Sequence, residues 1–431
     1  MNSTKKGLVL IAVLWVVVLL LLIVAVLGRT SRLDGRVCDM RSEELRCKWA
    51  CRAGLETAGA VLNEDSRRSD NLKDLWSDNP EDFNDVELEE CIFTVQVADE
   101  SGKLNVNTAT KEQLLELPEM TEEIANSILD WRDNDDSPRT GGAEGGYYEN
   151  LPYRYKIRNG QFRTVRELLL VKDATKELLY GEDTNLNGQL DFNERDGSAS
   201  PPADNGDGQL QEGWIAYLTC YSSDKNKDAN GEERVNINSA DENKLEESLG
   251  VSKAQAKWIV ENRKKGYKSI ADLISEKSPK EAPKDSGSDS EQAQPLDVET
   301  FSKIADKLTV DDKERIPGRV NVNTASKVVL AAVLGGGDTA EAAADDIISY
   351  REGLLSGMES IADLLKVESV TLGTFKKIAN NVTTRSDIYM VRCFATAVRG
   401  TVSGAVLQSE AVIDRGASPN KRLYWYQGAS N

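Results

Sequence analysis

Leu8-Val9-Leu10-Ile11-Ala12-Val13-Leu14-Trp15-Val16-Val17-Val18-Leu19-Leu20-Leu21-Leu22-Ile23-Val24-Ala25-Val26-Leu27 is an uncharged run of twenty apolar residues, introduced by Lys5, Lys6 and Gly7. At about 1.5 Å per residue a helix of this length is about 30 Å long, the thickness of a bilayer's hydrocarbon core. The run ties the chain to a membrane. A cleaved secretory signal is a poor match, because it needs a shorter core and a small-x-small site, and after Ala25 the run meets Gly28 and Arg29. An uncleaved signal anchor stays open on the apolar run alone. Charge does not orient the segment, since Lys5 and Lys6 face Arg29, Arg32 and Arg36 across it.

Beyond the run, from Ser31 to about Leu62, the pattern stays helical. Cys47, Cys51, Leu55, Ala58 and Leu62 recur at steps of four and three, while Glu43, Lys48, Arg52 and Glu56 fall elsewhere, so this extension predicts a helix packed on a sheet. Asp65 to Glu90 is charged and turn-rich and reads as loop. Ile92 to Val97 alternates, with Phe93, Val95 and Val97 on one face, as a half-buried strand does.

A motif then appears three times. Lys103-Leu104-Asn105-Val106-Asn107-Thr108-Ala109 returns as Arg234-Val235-Asn236-Ile237-Asn238-Ser239-Ala240 and as Arg319-Val320-Asn321-Val322-Asn323-Thr324-Ala325. Each copy reads as a short extended piece entering a helical pair, with Thr110 and Gln113, and Ser239 and Glu242, spaced as capping boxes. The second pair, Leu249-Gly250-Val251-Ser252 onward, resembles helix-hairpin-helix modules, whose Gly-rich turn presents amides to a DNA phosphate. Ser252 replaces one such glycine, and Glu119 and Thr121 replace both in the first copy, where Glu122 and Glu123 follow. Carboxylates at that turn oppose a phosphate.

Composition points the same way: net charge is −19 and pI about 4.7 over 431 residues, a surface that repels nucleic acid and attracts divalent cations. The absence of histidine removes Ser-His and Cys-His dyads and His-ligated zinc. Six scattered cysteines, without a C-x-x-C pair, leave any disulfide pairing open. No constellation supports catalysis, and the chain reads as a non-enzyme.

Asp183-Thr184-Asn185-Leu186-Asn187-Gly188-Gln189-Leu190-Asp191-Phe192-Asn193-Glu194 fits the twelve-residue EF-hand loop. Asp183, Asn185, Asn187, Asp191 and Glu194 place oxygen at ligand positions, Gly188 permits the sharp turn, and Gln189 offers its carbonyl, which points to calcium. Fainter echoes follow at 204–208 and 224–231. Asp133, Asp135, Asp136 and Glu144 form a further acidic cluster that could hold a metal.

The junction Lys5-Lys6-Gly7-Leu8 resembles the leader of type IV pilin-like proteins, cut between Gly7 and Leu8 by a prepilin peptidase. Cys51-Arg52-Ala53-Gly54-Leu55-Glu56 is similar to the Ala-Gly-Leu-Glu stretch of pseudopilins. The run Asp130-Trp131-Arg132-Asp133-Asn134-Asp135-Asp136, then Gly142-Ala143-Glu144, Tyr147-Tyr148 and Glu167-Leu168-Leu169-Leu170, resembles the signature of the type II secretion system protein K family. These are minor pseudopilins, known to bind calcium, and like them the chain has no Glu five residues after the cut; Ala12 stands there. The resemblance implies a single-pass inner-membrane protein with its large domain in the periplasm, a place at the pseudopilus tip priming its assembly, and other minor pseudopilins and the major pseudopilin as partners. The rival is a membrane-anchored helix-hairpin-helix DNA receptor of the competence type.

The expected fold is α+β. A leader (1–7), transmembrane helix (8–28) and helix extension (29–64) lead to a pilin-like antiparallel sheet (85–100 and 386–428). Into it are inserted a first helical module (101–182), a calcium-loop insertion (183–233), a second module (234–274), a flexible linker (275–300) and a third module (301–385).

Overall fold

The computed structural model describes residues 3–274, 293–399, 402–417 and 419–429. One helix, Ser3–Glu64, runs unbroken from the apolar segment into the folded body. Its stripe of Cys47, Cys51, Leu55, Ala58 and Leu62 is buried, each residue no more than 4% exposed, against a five-stranded sheet. Gly54 sits where helix and sheet approach most closely: a Cβ there would meet Cys393 Sγ at 2.7 Å and Val95 Cγ2 at 2.8 Å.

The strands are β1 (Val86–Leu88), β2 (Cys91–Asp99), β3 (Ile388–Arg399), β4 (Val402–Asp414) and β5 (Lys421–Ala429), in that spatial order and antiparallel throughout. The central pair joins segments far apart in sequence, with Val95 opposite Cys393. All the helical modules are therefore inserted between β2 and β3, and the architecture is the expected α+β. The stretch from Asp65 to Glu90, read as loop, also holds the turn Pro80–Phe83 and β1, with Trp76 and Phe83 buried. Its charge masked these two apolar anchors.

The three motif copies are three variations of one structure. In each, a two-residue strand (Leu104–Asn105, Val235–Asn236, Val320–Asn321) precedes a helical hairpin. The hairpins are Lys111–Leu115 with Glu122–Arg132, Glu242–Leu249 with Lys253–Asn262, and Lys327–Leu334 with Asp338–Glu352. The first Asn of each motif folds its side-chain oxygen back onto the amide two residues on (Asn105 to Asn107, Asn236 to Asn238, Asn321 to Asn323). An arginine from the second helix of each hairpin, or just after it, then ties the motif's carbonyls: Arg132 to Val106 and Ala109, Arg263 to Asn238 and Ala240, Arg351 to Val322 and Ala325. Thr110 and Gln113 form the expected capping box; the first helix of the second module is instead capped by Asp241, whose carboxylate accepts from the Lys244 amide at 2.8 Å, because that helix starts at Glu242, three residues after Ser239.

Parallel pairing closes each module and moves the expected boundaries. Leu218–Thr219 pairs with Leu104–Asn105, Leu308–Thr309 with Val235–Asn236, and Val382–Thr383 with Val320–Asn321. Trp214 to Thr219, placed with the calcium-loop insertion, thus completes the first module. The expected linker from 275 to 300 lies outside the described residues as far as 292; from 293 it is packed, with Leu296 buried and bridged to Ile274 and the helix Val298–Ile304 following. That helix and Leu308 belong to the second module, because the strand closing it comes after them. One apolar core runs through all three modules and a second fills the helix-sheet seam.

The basic residue that opens the second and third motifs has a shared target. Arg234 and Arg319 each donate to Asp224 Oδ2 at 2.8 Å, and all three side chains are at most 9% exposed. Burial on its own would raise the Asp224 pKa, but the two guanidiniums outweigh it and hold the carboxyl below its ordinary value.

Candidate functional site

The Asp183–Glu194 loop has the local geometry its sequence demands. Gly188 has φ +66°, and Asp183 accepts from the amides of Asn187 at 3.0 Å and Gly188 at 2.9 Å, the turn that wraps an EF-hand loop about its first ligand. The side chains of Asn185 and Asn187 both turn onto Asp191 Oδ2, at 2.8 and 2.9 Å. The loop rests on the sheet through Gln96 and Gln408, which donate to the Asn187 and Asn185 carbonyls. Glu194 is buried with Oε1 unpartnered; burial first, then the charges of Asp183 and Asp191, raise its pKa. Gln189 is exposed, its amide bound to Asn187 Oδ1.

Among the described residues, two acidic triads bring one oxygen each within 4.8 Å, and the loop is not one of them. The first is Asp130, Asp133 and Glu144. Asp130 was missed in the sequence, although it lies one helical turn before Asp133. Asp135 and Asp136, grouped with Asp133 in the sequence, are exposed and turn away: Asp135 accepts from the Ser137 amide and Asp136 from Asn159. Arg139 Nη1 lies 2.6 Å from both Asp130 and Asp133. Glu144 is 5% exposed and neither of its oxygens has a hydrogen-bond partner. Burial, followed by repulsion from Asp130, Asp133, Asp136 and Asp135, pushes its pKa up to about 7. Gly142 is required beside it, since a Cβ there would fall 2.0 Å from Asp130 Oδ2. Three convergent carboxylates, one of them buried and unsatisfied, fit a hard divalent cation that takes oxygen ligands.

The second triad, Asp65, Asp70 and Asp74, is already served by protein donors. Arg415 pairs with Asp65 and Asp70, while Tyr389 Oη and the Ser386 amide donate to Asp70 at 2.6 and 2.7 Å. These bonds lock the end of the long helix to β3 and β4.

The hairpin turns bear on nucleic acid. In the third module Gly335, Gly336 and Gly337 all have positive φ, yet the slot is filled by Glu116 of the first module: a Cβ on Gly336 would fall 1.9 Å from its Oε1, and its Oε2 accepts from the Gly337 amide at 3.4 Å. The anion position of this turn is taken by the protein's own carboxylate. Around Gly7 and Leu8 the backbone is helical, and Val9 to Leu27 stand exposed, without protein around them. This helix is long and apolar enough to cross a membrane.

Two family models, both described as type II secretion system protein K, match residues 93–180 and 320–385, stretches that hold the first acidic triad and the third module's hairpin. Over these two stretches the chain resembles the type II secretion system protein K family. A protein K from Pectobacterium carotovorum subsp. carotovorum is 26% identical over 210 residues, 43% of this chain; the match spans 61% of that protein K. Among solved structures, a chain of the GspK-GspI-GspJ complex from enterotoxigenic Escherichia coli aligns with 90% of this chain and 98% of its own, at 13% identity and a TM-score of 0.47.

Proposed function

We propose that this chain is a minor pseudopilin of the protein K family that sits at the tip of the pseudopilus and primes its assembly for the export of folded proteins. Its helix is cut between Gly7 and Leu8 by the prepilin peptidase and held in the inner membrane, with the large domain in the periplasm. Other minor pseudopilins and the major pseudopilin are its partners, and the reading assigns it no reaction. The observation that carries the tip position is the insertion of all three modules between β2 and β3, which puts a body far larger than the sheet beside one helix. Such bulk does not repeat along a close-packed shaft. Ala12 supports the same place, because it offers no carboxylate to a neighbour's ammonium inside the apolar bundle.

Calcium is assigned to the Asp183–Glu194 loop and to Asp130, Asp133 and Glu144, where it would neutralise acidic groups that otherwise repel. Mass spectrometry of the native chain tests the reading: a mature N-terminus at Leu8 and cross-links from the long helix to sister pseudopilins are expected. An intact Met1, or a chain that never associates with such subunits, would overturn it.

A further inference from the structure

Four of the six cysteines meet in the seam between the long helix and the sheet. Cys47 and Cys51 lie one turn apart on the helix's buried stripe, Cys91 opens β2 and Cys393 sits in β3, all at most 3% exposed. They are neighbours in two pairs, Cys47 with Cys91 and Cys51 with Cys393, while the Cys47 thiol donates to the Ala405 carbonyl at 3.3 Å and the Cys51 thiol to that of Leu407 at 3.5 Å. Cys51 Sγ also lies 3.5 Å from the Cys393 carbonyl oxygen, so the helix side chain reaches the strand's own backbone. Ala50, Gly54 and Ala58 on the same face make this approach possible, and the sulfur of Cys393 itself occupies the space a Gly54 Cβ would need. A disulfide demands this kind of close, facing geometry, with Cα atoms roughly 4.4–6.8 Å apart.

We propose that Cys47–Cys91 and Cys51–Cys393 close as two disulfides that staple the long helix to β2 and β3. For each bond two thiols lose two protons and two electrons and one S–S bond forms. The electrons pass to a disulfide-bearing thiol–disulfide oxidoreductase, whose disulfide becomes a dithiol. The inference rests on the periplasmic placement of the domain, where such oxidants act. Burial in the folded chain pushes the Cys47 thiol up to about 12, so this group is a poor nucleophile once packed and its bond closes while the chain folds. Cys51 and Cys393 lie 342 positions apart, with every module between them, so this bond removes conformational freedom from nearly the whole unfolded chain. All six side chains are free thiols in this structure, and exposed Cys38 and half-buried Cys220 are expected to stay so.

The test is thiol alkylation and peptide mapping of the full chain isolated in mild detergent and denatured with and without reductant. Without reductant only Cys38 and Cys220 should be alkylated, and the two linked peptide pairs should be found. Reduction should lower Tm by roughly 5–10 °C. A parallel sample is unfolded in urea and returned to detergent with oxidised glutathione. If it forms the two named pairs while the chain from cells carries six thiols, the pairing stands and the periplasmic placement falls. Other pairs, or none, in the glutathione sample overturn the inference.

Discussion

Asn323 holds both backbone groups of Met358: its side-chain oxygen accepts from the Met358 amide at 2.8 Å and its nitrogen donates to the Met358 carbonyl at 2.9 Å. Asn107 does the same to Phe162 and Asn238 to Tyr267. One side chain per module thus stands in for a strand residue, tying the motif to the segment after the hairpin. Asn323 is 2% exposed, so Asn323→Ala strands a buried amide and a buried carbonyl. The expected cost is about 2–4 kcal/mol, measured by urea unfolding of the full chain in detergent. Asn107 is only half-buried, and water can replace its bonds in part. Asn107→Ala should cost less, and equal losses at both sites would contradict the clamp.

Asp224 carries the contact between the second and third modules, and its loss should be worse than a lost surface pair. Asp224→Asn leaves Arg234 and Arg319 buried around a neutral amide, a cost of about 3–5 kcal/mol. The two arginines hold the Asp224 pKa below its unfolded value, so its contribution is fully present above about pH 4 and fades as pH falls through the lower folded value. Melting curves of wild type and Asp224→Asn should therefore stay a constant distance apart from pH 7 to about 5 and converge below about 4. A gap that closes near neutrality would count against this account.

Gly54 and Gly59 lie in the same helix and should respond oppositely to alanine. A helix interior gains about 0.5–1 kcal/mol from Gly→Ala where there is room. Gly59 has room, with nothing within 4 Å of the place an added methyl would take, whereas at Gly54 the methyl meets sulfur at 2.7 Å and a valine methyl at 2.8 Å. Gly59→Ala should raise Tm, and Gly54→Ala should lower it by the roughly 1–3 kcal/mol of an overpacked core. Two shifts of the same sign would mean that the helix does not seat on the sheet at Gly54.

These contacts also mark what the sequence could reveal. The long helix was legible because Leu8 to Leu27 and the Cys47 to Leu62 stripe are periodic patterns within one segment. The sheet was legible for the same reason in β2 to β5, and β1, although inside the expected span 85–100, could not be told from the loop before it because three residues carry no period. The module boundaries were not, since each depends on a two-residue parallel pairing such as Val235 with Leu308, and no local pattern announces a partner more than seventy positions away. The EF-hand spacing was visible because its candidate oxygen donors all fall within one twelve-residue segment. Asp130 was overlooked because the cluster was read as the loop run Asp133-Asp135-Asp136, while the helix end and the turn at Gly142 select Asp130, Asp133 and Glu144 instead.

That selection can be tested by a reversal of sign. Without a cation, Glu144 is buried, unpartnered and repelled by Asp130 and Asp133, so its charge destabilises the fold. With calcium bound, the same charge becomes a ligand, and at a hundredfold excess over Kd binding adds about 2.7 kcal/mol. Glu144→Gln removes the repulsion and weakens the ligand set together. At pH 8 the variant should melt above wild type in chelator and below it in millimolar calcium, so the two orders cross. Glu194→Gln should shrink the calcium increment as well, separately from the first site. A wild-type Tm indifferent to chelation, with no calcium by elemental analysis of the purified chain, would remove the metal from both places.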